Sequence, residues 1–178
     1  TGSELVGLIP LKAMLDAGKH FLTKQGRSLG VSDDEIIHIA IKSLGLDELA
    51  PFDPNKKIIE YQLRTLESEK LISLSAKELA NETASESMAP GGGSIAAYVG
   101  ALGISLGTMV ANLSANKPGW EDKLNYFSDK AEKGQKIKSE LLYLVDEDTR
   151  SFNGIIDDIR MSKSTDAQKK LRNEAIEK

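Results

Sequence analysis

The sequence predicts a mainly α-helical segment, and three observations carry that prediction. Apolar residues recur every three or four positions through most of the 178 residues, which is the spacing of a helix face. Two helix starts are clear, because Ser32 precedes three acidic residues and Ser75 precedes Glu78 in a capping-box arrangement. No strong strand signal interrupts these patterns. The length fits one domain of ordinary size or parts of two.

The first third of the chain contains three predicted helices. Residues 8–24 carry an apolar face at helical spacing. Ser32 begins a second helix, and Gly45 is the residue type that ends one. A turn at residues 51–54 precedes a short third helix around residues 58–63. This part of the chain therefore reads as a small helical cluster.

The remaining two thirds begin with a polar, charged stretch at residues 62–71, which we interpret as a linker. A short capped helix follows, and Pro90-Gly91-Gly92-Gly93-Ser94 is predicted to form a glycine-rich turn. Two longer helical regions come next, the uncharged run 95–113 and the periodic stretch 120–160. A last helix is expected from about Asp166.

Composition narrows the function classes. The net charge is −4, from 23 basic and 27 acidic side chains, which disfavours binding to the phosphate backbone of nucleic acids. The absence of cysteine excludes a disulfide scaffold, a zinc finger and a thiol nucleophile. His20 and His38 are the only histidines, too few for a histidine-rich metal site, and we expect both at the surface. No signal peptide is recognisable, and we expect a cytoplasmic protein.

The uncharged run at residues 95–113 has two interpretations. Its nineteen residues could span a bilayer, and Gly103 and Gly107 have the spacing of closely packed membrane helices. Polar residues dilute its hydrophobicity, however, and no basic flank orients it. We therefore expect a fully buried core helix whose glycines let neighbouring helices approach closely, and no membrane partner.

The glycine-rich turn before this run also allows two interpretations. Backbone N–H groups at the start of a helix favour anions or polar ligand groups, so Gly91, Gly92, Gly93 and Ser94 are candidate binding residues. The turn matches neither a P-loop nor a dinucleotide fingerprint. The alternative is a tight turn in which Ser94 is the N-cap of the following helix.

Asp148 is the candidate catalytic residue. One face of the predicted helix is apolar at Ile137, Leu141, Val145, Phe152, Ile155 and Ile159. The seven-residue gap in this stripe has its missing member at Asp148, which we therefore expect to point inward among apolar side chains. Asp146 and Glu147 lie off the stripe and are expected to be solvated. An inward carboxyl group is either a general acid or a structural residue bonded to a neighbouring helix.

Two groups of motifs then resemble known families. The end of a glutamate formimidoyltransferase domain is similar to residues 1–12 (TGSELVGLIPLK), 44–47 (LGLD), 50–52 (APF) and 58–61 (IIEY). The cyclodeaminase and methenyltetrahydrofolate cyclohydrolase family is similar to residues 89–94 (APGGGS) and 144–148 (LVDED). In this order, the two halves resemble the bifunctional formimidoyltransferase-cyclodeaminase family.

The resemblance implies a domain plan. Residues 1–61 would be the helical tail of an α/β formimidoyltransferase C-terminal subdomain, residues 62–71 the linker, and residues 72–178 the first half of an all-α cyclodeaminase helical bundle. Glu4 would border the transferase cleft. The resemblance also implies a homo-oligomer.

The resemblance further implies a reaction in histidine degradation. A cyclodeaminase converts 5-formiminotetrahydrofolate to 5,10-methenyltetrahydrofolate and ammonia, with tetrahydrofolate as the one-carbon carrier, polyglutamylated folates as expected ligands, and no metal. Asp148 aligns with the family's proton donor, and Gly91, Gly92, Gly93 and Ser94 would position the folate. The alternatives are a methenyltetrahydrofolate cyclohydrolase, or a folate-binding and oligomerisation module without turnover.

Overall fold

The computed structural model describes residues 3–64, 71–87 and 89–160, and these residues are mainly helical, as predicted. The helices are α1 (Leu11–Lys24), α2 (Asp33–Leu44), α3 (Pro54–Lys57), α4 (Ile59–Arg64), α5 (Ala76–Thr83), α6 (Gly92–Ala115) and α7 (Leu124–Arg160). Two short 3₁₀ turns lie at Leu71–Ser73 and Glu121–Lys123. Within the described ranges, β pairing is limited to one parallel bridge between Ile9 and Ile58.

The chain divides into two compact units. Unit 1 contains Thr1–Glu69 and Leu102–Lys138, and unit 2 contains Lys70–Ala101 and Ser139–Lys178. Helices α6 and α7 each contribute residues to both. Residues 65–70 of the predicted linker and the helix expected from Asp166 lie outside the described residues.

The core of unit 1 lies between α1 and α2. Met14, Ile37, Ala40, Ile41 and Ile58 form its buried cluster. The helices approach closely because position 18 is glycine, where a Cβ would lie 2.1 Å from the Ile36 carbonyl oxygen. The caps of α2 are those the sequence predicted: the Ser32 side chain accepts a bond from the Glu35 N–H, and Gly45 ends the helix with φ 65°.

Polar bonds join the loop after α1 to residues 102–138 of the same unit. The buried Ser28 hydroxyl donates to Asn112 Oδ1 at 2.7 Å, and Asn112 Nδ2 donates to the Gly30 carbonyl at 2.7 Å. The same carbonyl accepts from Gln135 Nε2 at 3.0 Å, and the Leu29 N–H donates to Ser128 Oγ at 2.9 Å. A short loop thereby satisfies its backbone groups inside the unit.

Unit 2 is organised around α5, the first part of α6 and the second part of α7. The predicted capping box of α5 is present, with reciprocal bonds between Ser75 and Glu78. The Leu71 N–H donates to Asp146 Oδ1 at 2.8 Å, which attaches the 3₁₀ turn to α7. Val145 is fully buried.

Helix α6 is not the fully buried core helix that the sequence predicted. Exposed fractions of 50–67% are found for Val99, Leu102, Leu106, Met109, Val110 and Leu113. Among the described residues, nothing lies within 4 Å of the position that a Cβ would take at Gly103 or Gly107. By length and composition alone, α6 could cross a membrane, and 22% of its apolar window is buried. An uncharged sequence predicts an apolar environment but does not identify what supplies it.

Candidate functional site

Asp148 and the first turn of α6 form the candidate site, within unit 2. The backbone N–H of Ser94 donates to Asp148 Oδ2 at 2.8 Å, and the Ser94 hydroxyl donates to the same oxygen at 2.9 Å. Ser94 is fully buried, and its Oγ also lies 3.1 Å from Thr149 Oγ1. One carboxylate oxygen is therefore held by two donors from a single residue of the facing helix.

The glycine at position 93 makes this contact possible. A Cβ there would lie 2.4 Å from Asp148 Oδ1 and 2.7 Å from Cγ, distances that real Cβ atoms do not show. The other two glycines are under less constraint. A Cβ at Gly91 would lie 4.0 Å from Oδ2, and one at Gly92 would have no neighbour within 4 Å. Only Gly93 is required by the packing of the carboxylate.

The start of α6 differs from the predicted glycine-rich turn. The helix begins at Gly92, and the Ile95 N–H already donates to the Gly91 carbonyl at 3.2 Å. Ser94 is therefore the third residue of the helix and not its N-cap. At this position its backbone N–H has no acceptor within the helix. Asp148 satisfies that donor from another helix, so the capping relationship is the reverse of the predicted one.

The predicted burial of Asp148 among apolar side chains is wrong. The residue is exposed, and so are Phe152, Ile155 and Ile159 of the same stripe, with exposed fractions of 38–52%. Only Val145 of that stripe is fully buried. The periodicity identified the side of α7 on which Asp148 makes its contacts. The group that Asp148 contacts there is the polar start of α6 and not a set of apolar side chains. The desolvation argument therefore does not apply to Asp148.

The neighbouring acids of α7 are bonded, although the sequence predicted them to be solvated. Asp146 accepts from the Leu71 N–H. Glu147 pairs with Arg150 and accepts from the Tyr143 hydroxyl at 3.0 Å. Both carboxylates are partly buried, and their bonds keep them occupied with structural partners.

The comparisons with known proteins identify the family of this chain. The family profile described as formiminotransferase-cyclodeaminase matches residues 75–178, and the profile described as formiminotransferase domain matches residues 1–64. The chain belongs to the formiminotransferase-cyclodeaminase family.

Similar proteins carry the same family name. The formimidoyltransferase-cyclodeaminases of Gallus gallus and Mus musculus are 34% and 35% identical over 172 residues, which is 96% of this chain and 32% of each relative. A methenyltetrahydrofolate cyclohydrolase of Methylorubrum extorquens is 30% identical over 89 residues, half of this chain and 43% of the relative. The chain spans about a third of the length of the curated formimidoyltransferase-cyclodeaminases it matches.

One predicted site residue of this formiminotransferase-cyclodeaminase segment, Glu4, does not belong to unit 2. Glu4 is exposed in unit 1, and its place beside a transferase cleft stays a prediction. His20 and His38 are exposed, as predicted. Within the part of the chain that the structure describes, no group of three or more His, Cys, Asp or Glu side chains is arranged to hold a metal.

Two features of the site were missed by sequence reasoning. Thr149 follows the candidate acid directly, and its hydroxyl reaches Ser94. Gly93 has a steric role that the composition of a glycine run does not reveal. A contact between residues 54 positions apart leaves no local signal in one sequence.

The arrangement holds one oxygen of Asp148 and leaves the other without a hydrogen bond from the described residues. Oδ2 accepts both bonds from Ser94, and among the described residues no donor is bonded to Oδ1. Because Asp148 is an exposed residue, a small molecule and water can both reach it. The geometry thus supplies a fixed carboxyl group that can accept or give one proton.

Proposed function

We propose that this segment carries the proton-transferring residue of a formimidoyltetrahydrofolate cyclodeaminase, and that Asp148 is that residue. The observation behind the proposal is the carboxyl group of Asp148, an exposed residue that is fixed through Oδ2 at the start of α6. The names of the relatives support the substrate class, since each refers to a folate or to formimidoyl transfer with cyclodeamination. A positioned acid is sufficient in principle for this reaction, without a metal or a covalent nucleophile.

The proton balance of ring closure explains what Asp148 would do. N10 of 5-formiminotetrahydrofolate attacks the formimino carbon, and the bond from that carbon to the terminal nitrogen then breaks. The leaving nitrogen carries one hydrogen and departs as ammonia only after gaining two more, one from N10 and one from the medium. The products are ammonia and the 5,10-methenyl cation. An exposed carboxyl group beside the reacting atoms can pass these protons and be recharged by solvent.

The glycine-rich start of α6 would help to hold the substrate. The N–H groups of Gly92 and Gly93 belong to the first turn of α6, where helix geometry leaves N–H groups without intrahelical acceptors and favours anionic or polar ligand groups. We propose that they receive polar groups of the folate, and that polyglutamylated folates are the physiological ligands.

The first part of the chain points to a second activity in the same polypeptide. Residues 1–64 match a formiminotransferase domain, which would supply the formimino group that the cyclodeaminase consumes. We propose that the natural polypeptide is a cytoplasmic enzyme of histidine degradation with both activities. The transferase domain is only partly present here, and Glu4 would border its cleft.

The decisive test measures ammonia release from 5-formiminotetrahydrofolate by the full-length natural polypeptide and by its Asp148→Asn variant. The parent should release ammonia, and the variant should fold but give no turnover. Asp157→Asn changes an exposed carboxylate on the same helix and should retain activity. Normal ammonia release by Asp148→Asn would remove the proposed role of the residue.

The cyclohydrolase alternative predicts a different substrate. The half-chain similarity to a methenyltetrahydrofolate cyclohydrolase is the observation that favours it. Parallel assays with formimino- and methenyl-tetrahydrofolate separate the two, because a cyclohydrolase hydrolyses the second and releases no ammonia from the first. The match to a formiminotransferase domain at residues 1–64 favours the cyclodeaminase.

Homo-oligomer formation is the second function that a specific observation supports. The exposed residues Val99, Leu102, Leu106, Met109 and Leu113 are spaced alternately by three and four positions, which is the seam of a helix pair. Gly103 and Gly107 leave room beside this seam, and no charged residue lies between Glu86 and Lys117. We propose that the uncharged face of α6 binds the same face of a second copy, since identical neutral surfaces do not repel each other.

Cysteine cross-linking tests this contact, because residues 1–178 contain no cysteine and any cysteine elsewhere in the full-length polypeptide can first be replaced by serine. Leu106→Cys in the full-length polypeptide should give a disulfide-linked dimer on oxidation. Ser43→Cys, exposed on α2, is the control and should remain uncross-linked. Equal cross-linking of both variants, or none of Leu106→Cys, would exclude the α6 face as the contact between copies. A polypeptide that assembles and binds folate without turnover would favour the oligomerisation-module alternative.

A further inference from the structure

We infer that Ser94 is a positioning residue that acts through Asp148 and not a contact for the folate. The inference rests on the proposed function, because it assigns Ser94 a task in the same proton transfer. Three observations carry it: the burial of Ser94, the number of its hydrogen bonds and the oxygen atom to which they are made.

Burial separates Ser94 from the substrate. Its exposed fraction is 0%, whereas Gly92, Gly93 and Asp148 around it are exposed. A ligand that touches this cluster can reach the glycine backbone and the carboxyl group, but the serine hydroxyl lies beneath them. Direct recognition of the folate by this hydroxyl would require the start of α6 to open.

The hydrogen bonds of Ser94 are already used within the protein. A hydroxyl group has one hydrogen, and the Ser94 hydrogen is donated to Asp148 Oδ2. In the 3.1 Å hydrogen bond between the two hydroxyl groups, Thr149 Oγ1 must then be the donor and Ser94 Oγ the acceptor. The result is a directed chain from Thr149 through Ser94 to Asp148, in which each bond strengthens the next.

Both bonds from Ser94 to Asp148 are made to the same carboxylate oxygen. The N–H and Oγ of Ser94 both bind Oδ2, so the carboxyl group is restrained at one oxygen, and no donor among the described residues is bonded to Oδ1. Loss of the hydroxyl would leave the single N–H bond, about which the carboxyl group can turn. Small misplacements of a reacting group cost up to about 100-fold in rate.

The test compares kcat and KM of Ser94→Ala with those of the parent in the full-length polypeptide. We expect kcat for ammonia release to fall about 10- to 100-fold while KM for 5-formiminotetrahydrofolate stays within about twofold. Ser94→Thr restores a hydroxyl group and should recover part of kcat. Thr149→Val removes the donor to Ser94 and should lower kcat by less than Ser94→Ala does.

The opposite pattern would overturn the inference. A rise in KM with unchanged kcat would make Ser94 a substrate contact, and unchanged values of both would leave it without a role in turnover. A parent that gives no ammonia would remove the proposed function and this inference together, whereas an active parent with a normal Ser94→Ala variant removes only the inference.

A second readout does not depend on activity. Urea unfolding of Ser94→Ala, Asp148→Ala and the double variant forms a double-mutant cycle. If the two side chains are bonded as described, the change in the unfolding equilibrium constant of the double variant will differ from the product of the changes in the two single variants. Strictly multiplicative effects would contradict the bond on which the inference stands.

Discussion

The Cα of Gly93 packs so closely against the carboxyl group of Asp148 that a Cβ at position 93 would lie 2.4 Å from Oδ1. The two residues are 55 positions apart in sequence and belong to different helices. An acid held at this distance from a helix start depends on the absence of one methyl group. The relationship gives the candidate site its sharpest structural test.

Gly93→Ala should reduce cyclodeaminase activity about 10- to 100-fold, because the new methyl group displaces the carboxyl group from its bonds with Ser94. Gly154→Ala is the control on α7, outside the proposed folate-binding turn, where a Cβ meets no atom within 4 Å. The control should fold at least as stably as the parent, since alanine suits a helix better than glycine. Ammonia release from both variants checks the prediction, and equal loss in both would show that the contact with Asp148 is not the cause.

Gly18→Ala should destabilise the protein by about 1–3 kcal/mol, since overpacking of a close helix contact costs energy of this order. Its Cβ would lie 2.1 Å from the Ile36 carbonyl oxygen and 2.6 Å from a methyl carbon of the same residue. Gly103→Ala has no such neighbour and should stabilise the folded chain by up to about 1 kcal/mol. Urea unfolding measures both, and a neutral Gly18→Ala would contradict the closeness of α1 and α2.

Asn112→Ala should cost about 1–3 kcal/mol, because it removes the acceptor of a buried hydroxyl group. Ser28 is 2% exposed and donates to Asn112 Oδ1, while the Gly30 carbonyl retains its bond from Gln135. Asn116→Ala, at an exposed position directly after the end of α6, is the control and should change stability by less than about 0.5 kcal/mol. Thermal unfolding of the pair distinguishes the buried bond from a general effect of shortening an asparagine.

The capping box of α5 should make stability fall at acidic pH. Hydrogen bonding to Ser75, from its hydroxyl group and then from its backbone N–H, lowers the pKa of Glu78 below its ordinary value of 4.5. A carboxyl group with a lowered pKa stabilises the fold at pH values above 4.5, and this contribution is lost as the pH falls through the lowered pKa. Glu78→Gln cannot ionise, so its stability should depend less on pH below 4.5 than that of the parent. Urea midpoints measured from pH 6 downward check this, and identical pH profiles would refute it.

Local signals predicted most of the helices and several of their ends correctly, but the short α3 was not predicted and Ile58 lies between α3 and α4 and not within a helix. Ser32, Gly45 and Ser75 act at caps through bonds to residues at most four positions away, and such bonds can be read from short sequence patterns. The start of α6 was misread by the same reasoning. Three consecutive glycines favour a turn, but the N–H group of Ser94 finds its acceptor in Asp148, and the helix extends back to Gly92.

Periodicity was informative about direction and misleading about environment. It placed Asp148 on the side of α7 that carries Val145, and Val145 is indeed buried. It could not distinguish an apolar neighbour from a helix terminus, because the pattern of one helix contains nothing about the element facing it. The same reasoning applies to α6, whose uncharged sequence predicted burial but whose Leu106 and Leu113 are exposed.

The sequence by itself determined the helical class, the capping at Ser32 and Ser75 and the candidate acid, because each depends on spacing along one chain. Tertiary structure decided that Gly93 must lack a side chain, that Ser94 is buried beneath the site and that Asp148 is exposed with one oxygen held. These properties arise from contacts between α6 and α7 at residues more than 50 positions apart. Local patterns do not encode the distance between two such helices, and that distance is what creates the site.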